Sequence, residues 1–111
     1  MDSFNPDQAC DAQCPIKKTA SIIEGKWTTL IIRELLSSKK RFTQIQRALD
    51  GVSPKVLSSR LRMLEQNGLI TRTVFPTIPP TTEYALTELG AGLQPVLQAM
   101  AEFGEQLPEP V

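Results

Sequence analysis

The chain has 111 residues, of which 41% are hydrophobic and 22% are charged, so we expect one soluble domain with a modest core. It contains no histidine, which excludes histidine-based catalysis, and its two cysteines alone cannot complete a four-thiolate metal site. No membrane-length apolar run and no secretory signal are found, so we expect a cytoplasmic binding protein that is not an enzyme and has no metal or cofactor.

The formal net charge of zero conceals an uneven distribution along the chain. Residues 38–73 carry eight basic and two acidic side chains, whereas residues 74–111 carry five glutamates and no lysine or arginine. A basic block inside a neutral protein is typical of a surface that binds a polyanion. On charge alone, a solvated polar surface is an equally good interpretation.

The first half of the chain is predicted to be helical. A polar arm over residues 1–13, which we expect to be flexible, precedes a helix that begins at Cys14-Pro15 and ends near Gly25. Apolar residues at helical spacing predict a second helix over residues 26–37. After a polar break, Thr43 is placed to cap a short helix over residues 44–49.

A longer helix is predicted after the Asp50-Gly51 turn. Ser53 caps its start, Pro54 takes the first helical position, and Gly68 ends it in a left-handed conformation. A short helix, a tight turn and a longer helix form the layout of a helix-turn-helix.

The second half of the chain predicts a β-hairpin and a final helix. Residues 69–75 and 82–86 are rich in strand-forming side chains, and a proline-rich, uncharged loop joins them, so we expect its tip to read a minor groove weakly. Thr87 caps a long helix through about Gln106, which Pro95 should kink, and residues 107–111 form a tail. The order predicts a mainly α fold with a small β-hairpin wing (α+β), a winged helix-turn-helix over residues 14–106.

A helical wheel of residues 53–66 separates an apolar arc from a polar face. The polar face contains Lys55, Ser58, Ser59, Arg62 and Gln66. Such side chains bind base edges and phosphates from the major groove, so double-stranded DNA is the predicted partner; an ordinary solvated helix face is the alternative. Arg60 falls inside the apolar arc, where a guanidinium needs a partner such as an acid or a phosphate.

Cations next to this face are expected to contact phosphates. The predicted DNA-binding residues are Lys39, Lys40, Arg41, Thr43, Ser53, Lys55, Ser58, Ser59, Arg62 and Arg72.

Several short motifs occur in this sequence at a specific spacing from one another. They are Gly25-Lys26-Trp27-Thr28, Arg41-Phe42, Leu-Ser-Ser-Arg-Leu-Arg-Met-Leu-Glu at 57–65, Gly-Leu-Ile-Thr-Arg at 68–72, Pro79-Pro80 and Glu-Tyr-Ala-Leu-Thr-Glu-Leu-Gly at 83–90. Together they resemble the HxlR-type winged helix-turn-helix regulators over about residues 14–104, with Phe103 where that family often has tryptophan. The resemblance implies a small bacterial DNA-binding transcription regulator, a homodimer joined through its terminal helices.

The apolar pattern of the terminal helices is compatible with such a dimer. The last helix carries more regularly spaced apolar residues than a small core needs, although packing within its own domain is the alternative. The predicted interface residues are Ile16, Ala20, Ile23, Leu93, Val96, Leu97, Met100 and Phe103.

The two cysteines, Cys10 and Cys14, are candidates for redox chemistry. Cys14 stands at a predicted helix N-cap, where the helix dipole and two nearby lysines favour a thiolate. The resemblance implies that Cys14 senses an oxidant or an electrophile, as in several HxlR-type regulators, whereas Cys10 has no counterpart. The alternative is that both are inert.

Two other classes of function stay open. A winged helix used only for protein contacts would need an apolar or acidic recognition face, unlike that of Lys55 and Arg62. A thiol redox enzyme using Cys14 would need a base or a resolving partner, and a metal sensor would need thiolates from two chains.

Overall fold

The structure, a computed structural model, describes residues 14–109. The predicted arm over residues 1–13, including Cys10, lies outside the described residues. The elements in chain order are α1 (Pro15–Ile23), α2 (Lys26–Ser37), β1 (Lys40–Arg41), α3 (Phe42–Ala48), α4 (Pro54–Gln66), β2 (Ile70–Phe75), β3 (Thr81–Leu86), α5 (Glu88–Ala91) and α6 (Gln94–Gln106). The predicted mainly α fold with a β wing is confirmed. Within residues 14–109, no helix has the length and hydrophobicity needed to span a membrane.

The three strands form an antiparallel sheet in the order β1-β3-β2. β2 and β3 make the predicted hairpin, with Ile70 opposite Leu86 and Phe75 opposite Thr81. β1, which sequence reasoning missed, places Lys40 opposite Tyr84 and Arg41 opposite Glu83. Two basic residues are too short a segment to show the alternation that predicts a strand. β1 ties the start of α3 to the wing.

The core lies between α2, α3, α4 and the inner face of the sheet. Its buried apolar residues are Ile31, Ile32, Leu35, Ile45, Leu49, Val52, Leu57, Leu61, Leu64, Leu69, Ile70 and Tyr84. α4 contributes three leucines at positions separated by four and three residues, which confirms the apolar arc of the helical wheel. The opposite face of α4 is therefore turned away from the core.

The caps of α4 are those predicted. Ser53 Oγ accepts a hydrogen bond from the Val56 amide at 3.1 Å, and Pro54 occupies the first helical position. Gly68 has φ +75°, a left-handed conformation that costs glycine little. These local signals place both ends of the helix.

The start of α3 differs from the prediction. The helix begins at Phe42, one residue before Thr43, and Arg41 is the N-cap residue. The Gln44 side chain reaches back and its Oε1 accepts the Arg41 amide at 2.8 Å. Because β1 holds Arg41 extended and Gln44 satisfies its amide, Thr43 lies within the first turn and is exposed.

The single long helix predicted after Thr87 is wrong. Thr87 caps only the four-residue α5, a turn at Gly92 and Leu93 follows, and α6 begins at Gln94. Pro95 lies in the first turn of α6, where its missing amide costs no hydrogen bond. A helix running continuously through Pro95 would lose a hydrogen bond and crowd the preceding turn, so a new helix starts instead of a kink.

Candidate nucleic-acid interface

The outward face of α4 presents the predicted side chains to solvent. Lys55, Ser59, Arg62 and Gln66 are all exposed, at successive spacings of four, three and four residues, so they share one side of the helix. Ser58 is half-buried at the edge of this face. We call Lys55, Ser59 and Arg62 the α4 face.

The α4 face has its hydrogen-bond donors unengaged. The ion pairs among residues 14–109 are Arg33–Glu34 and Lys39–Glu83, and no side-chain hydrogen bond in this range uses the α4 face. The one acidic residue of α4, Glu65, is exposed near the C-terminal end of the helix. The face therefore offers two cations and a hydroxyl that the fold itself does not use.

Lys40 makes structural contacts that the sequence did not predict. Its Nζ donates to the Glu34 carbonyl oxygen at 2.9 Å, to Ser37 Oγ at 2.7 Å and to Ser38 Oγ at 3.2 Å. An ammonium has three donors, and all three are used at the C-terminal end of α2, where carbonyl groups lack helical partners. Lys40 therefore caps α2 in the unbound chain; the structure favours this role, and the phosphate contact of Lys40 stays a prediction.

The other predicted phosphate-binding residues are exposed next to the sheet, on it and at the start of α3. Lys39 Nζ lies 3.7 Å from Glu83 Oε1, and because the Lys39 side chain is 69% exposed, this long ion pair contributes little stability. Arg41 and Thr43 are exposed where β1 joins α3, and Arg72 is exposed on β2. These side chains can turn to an anion without breaking a strong contact.

Arg60 has no carboxylate partner in the part of the chain that the structure describes. Its half-buried guanidinium lies beside Gly25, so that a β-carbon at position 25 would come within 3.5 Å of Arg60 Nη2. Gly25 has φ +85° and separates α1 from α2. Arg60 thus lies between α4 and the α1–α2 junction. Of the two partners expected for it, an acid is not found within residues 14–109, and a phosphate stays a prediction.

The predicted interface residues divide into two groups. One group lines shallow apolar grooves along the terminal helices, with Ile16 53%, Met100 45% and Phe103 62% exposed. The grooves are lined by Pro15, Ile16, Thr19, Ala20 and Ile23 on α1 and by Pro95, Val96, Ala99, Met100 and Phe103 on α6. The other group, Leu93 and Leu97, packs against the core of the same chain. The outward faces of α1 and α6 therefore remain available to another molecule.

Cys14 is the N-cap residue of α1 and is half-buried. Its carbonyl oxygen accepts the Lys18 amide at 3.0 Å, so the residue is held at the start of the helix. Among the residues described, no group of three or more histidine, cysteine, aspartate or glutamate side chains lies close enough to hold a metal ion.

Two surface features were missed by sequence reasoning. Ile78 is fully exposed at the tip of the wing, and Glu83 of β3 faces the basic segment at Lys39. An isoleucine between prolines in an uncharged loop was the available signal for the first. The second required the strand pairing of β1, which the sequence does not reveal.

A helix-turn-helix followed by a wing, with an exposed basic face on its second helix, defines a winged-helix DNA-binding transcription regulator. The comparison with protein families agrees with this class. The model of the HxlR-like helix-turn-helix family matches residues 22–111, and the chain belongs to that family.

Known relatives are similar over most of the chain. A helix-turn-helix-type transcriptional regulator of Synechocystis is 46% identical over 91 residues, which cover 82% of this chain and 67% of the relative. A crystal structure of a transcriptional regulator assigned to the MarR family from Porphyromonas gingivalis has a TM-score of 0.85 at 37% identity, covering 91% of this chain and 99% of the other. The redox regulator HypR in its oxidized form has a TM-score of 0.78 at 35% identity, covering 87% of this chain and 100% of the other.

Proposed function

We propose that the protein is a homodimeric transcription regulator that places α4 in the major groove of a near-palindromic operator. The observation that carries this proposal is the α4 face: exposed, on one side of the helix, and unengaged by any other group within residues 14–109. Its chemistry suits a polyanion that also offers base-edge acceptors. A module that binds only proteins would not need this basic face.

The side chains have separable roles in this proposal. Arg62, central on the exposed side of α4, donates two hydrogen bonds to a guanine, the commonest specific contact of arginine. Lys55 and Ser59 contact bases or phosphates nearer the start of the helix. Lys39, Arg41 and Arg72 contact the phosphate backbone on either side, which sets orientation and salt dependence and not sequence.

The α4 assignment is tested with Arg62→Ala on a duplex that the wild-type protein selects from a randomised pool. We expect the affinity to fall by about 1–3 kcal/mol, with relaxed specificity at one position of each half-site. Glu65→Gln is the matched control on the same helix, and removing its negative charge should leave affinity equal or higher. Equal binding by wild type and Arg62→Ala would contradict the assignment.

The exposed apolar grooves of α1 and α6 support the proposed homodimer. Two copies related by a two-fold axis would bury both grooves in one self-complementary interface. The symmetry would place the two α4 helices in successive major grooves, about 10–10.5 bp apart or a multiple of it. An inverted repeat is the operator that matches such a protein.

We infer in addition that Cys14 makes the regulator redox-responsive. The N-terminal end of α1 favours a thiolate, and α1 carries one of the apolar grooves. An oxidant such as diamide or peroxide would take two electrons and two protons from two thiols, joining Cys14 to Cys10 or to a cysteine of the partner subunit. A disulfide at the start of α1 would shift this helix. The shift would change the spacing of the two α4 helices in the dimer and therefore the affinity for the operator. The likeness to oxidized HypR supports this inference.

A further inference from the structure

The wing ends in an uncharged tip whose exposed side chain is apolar. Ile78 has a relative exposure of 101% and lies between Pro76 and the Pro79-Pro80 pair. Residues 74–82 contain no charged side chain. An isoleucine entirely in water adds nothing to the core, so the stability of the fold does not account for it.

The tip makes hydrogen-bonding contacts within itself. The Thr77 hydroxyl donates to the Pro79 carbonyl oxygen at 2.7 Å and lies 3.4 Å from the Thr81 hydroxyl. Three prolines, whose rings fix φ, further restrict the loop. Ile78 is therefore presented on a stiff support, and little conformational entropy is lost when it contacts a partner.

The wing is placed to reach the groove next to the one that α4 occupies. Only Asn67, Gly68 and Leu69 separate the end of α4 from β2, and α4 packs against β2. Six-residue strands extend the tip about 20 Å from that junction. This reach exceeds the width of the major groove, about 12 Å. Arg72 is exposed on β2, between α4 and the tip, and continues the basic surface along the wing.

We propose that Ile78 enters the minor groove beside the α4 contact and acts as an apolar wedge that unstacks a base step and bends the duplex. This inference rests on the proposed function. The minor groove distinguishes bases poorly by hydrogen bonding, but apolar side chains inserted there respond to how easily a step deforms. The wing then favours flexible pyrimidine–purine steps, and its contribution, having no charge, is insensitive to salt.

The test compares wild type with Ile78→Ala on the duplex that the wild-type protein selects from a randomised pool. We expect Ile78→Ala to bind on the order of tenfold more weakly, because the variant lacks three carbons that isoleucine would remove from water on binding. The bend measured by energy transfer between the duplex ends should decrease, and the salt dependence should be unchanged. Val74→Ala, which removes a 49% exposed aliphatic side chain below the tip, is the control and should bind like wild type.

A second measurement locates the wedge. In a duplex with 2-aminopurine at the wing-proximal steps, wild type should raise the fluorescence of one step by unstacking it, and Ile78→Ala should not. The wedge is overturned if Ile78→Ala binds and bends the duplex like wild type, or if no step is unstacked. If wild type itself selects no duplex, the proposed function fails, and the wedge with it.

Discussion

The α-carbon of Gly90 lies against the backbone carbonyl oxygen of Leu69, so closely that a β-carbon at position 90 would overlap that oxygen. Thr87 reinforces the same junction, because its hydroxyl donates to the Gly68 carbonyl oxygen at 2.7 Å and accepts the Gly90 amide at 3.1 Å. The end of α4, the start of β2 and α5 meet at this point. The close packing of α5 on the connection between α4 and β2 therefore requires a glycine at position 90.

Gly90→Ala should destabilise the protein by about 2–3 kcal/mol, because the carbonyl oxygen of Leu69 belongs to the backbone and cannot turn aside. Urea denaturation measures the change. Gly104→Ala is the control, since nothing lies within 4 Å of a β-carbon there and the site is an exposed helical position. It should gain roughly 0.5–1 kcal/mol. A Gly90→Ala variant as stable as wild type would show that the backbone at Leu69 can shift to accommodate a β-carbon at position 90.

Thr28→Val should stabilise the protein by about 1 kcal/mol. Thr28 is 0% exposed, and its hydroxyl has no hydrogen-bond partner among the described residues, so the native chain carries a buried, unsatisfied polar group. Valine has the same shape without that cost. Thr29→Val is the matched control, because the Thr29 hydroxyl bonds to the Lys26 carbonyl oxygen and its loss should give no gain. A lower thermal midpoint for Thr28→Val than for wild type would contradict the expectation.

Arg41→Ala and Lys40→Ala should separate a DNA contact from a helix cap. If Arg41 contacts a phosphate, Arg41→Ala makes the negative slope of log affinity against log salt shallower by about one per protomer. Lys40→Ala should leave that slope unchanged and cost about 1 kcal/mol of stability, because the C-terminal end of α2 loses its cap. Salt titrations and urea denaturation of both variants measure the two effects. A shallower slope for Lys40→Ala would show that Lys40 also contacts a phosphate.

Ala99→Glu should dissociate the proposed dimer. Ala99 lines the apolar groove of α6, and a carboxylate there would be buried without a partner on both sides of the two-fold axis. Ala101→Glu introduces the same charge at an exposed position of α6 that does not line the groove, and should stay dimeric. Light scattering distinguishes the 12.3 kDa chain from twice that mass. Dimers of unchanged stability in both variants would place the interface elsewhere.

Cys14→Ser should abolish the response of DNA binding to mild diamide while leaving binding by the reduced protein intact. The serine keeps the size of the residue at the start of α1 but forms no disulfide. Wild type is measured in parallel, with and without diamide and after a reductant is added back. If wild type and Cys14→Ser respond alike, or neither responds, the redox role of Cys14 is refuted.

The sequence alone determined the elements whose signals are local. The cap of α4 needs only Ser53, Pro54 and Gly68, within or next to the helix they delimit, and the spacing of its leucines decides which face turns outward. The α4 face was predictable for that reason, since burial of one side of a helix leaves the other side to solvent. The six-residue wing strands and α2 follow from the same short-range rules.

Only the tertiary structure decided what depends on residues distant in sequence. Lys40 was predicted to bind phosphate from its charge, because the sequence does not show which carbonyl groups lie near a lysine. In the structure, the pairing of β1 with β3 holds Lys40 next to the end of α2. Leu97 and Met100, three residues apart in one apolar pattern, separate into a core contact and an exposed groove. The hydrogen bonds of a helix join residues four apart in sequence, so short-range signals determine them. The surface against which a side chain packs is formed by residues distant in sequence, so only the tertiary structure determines it.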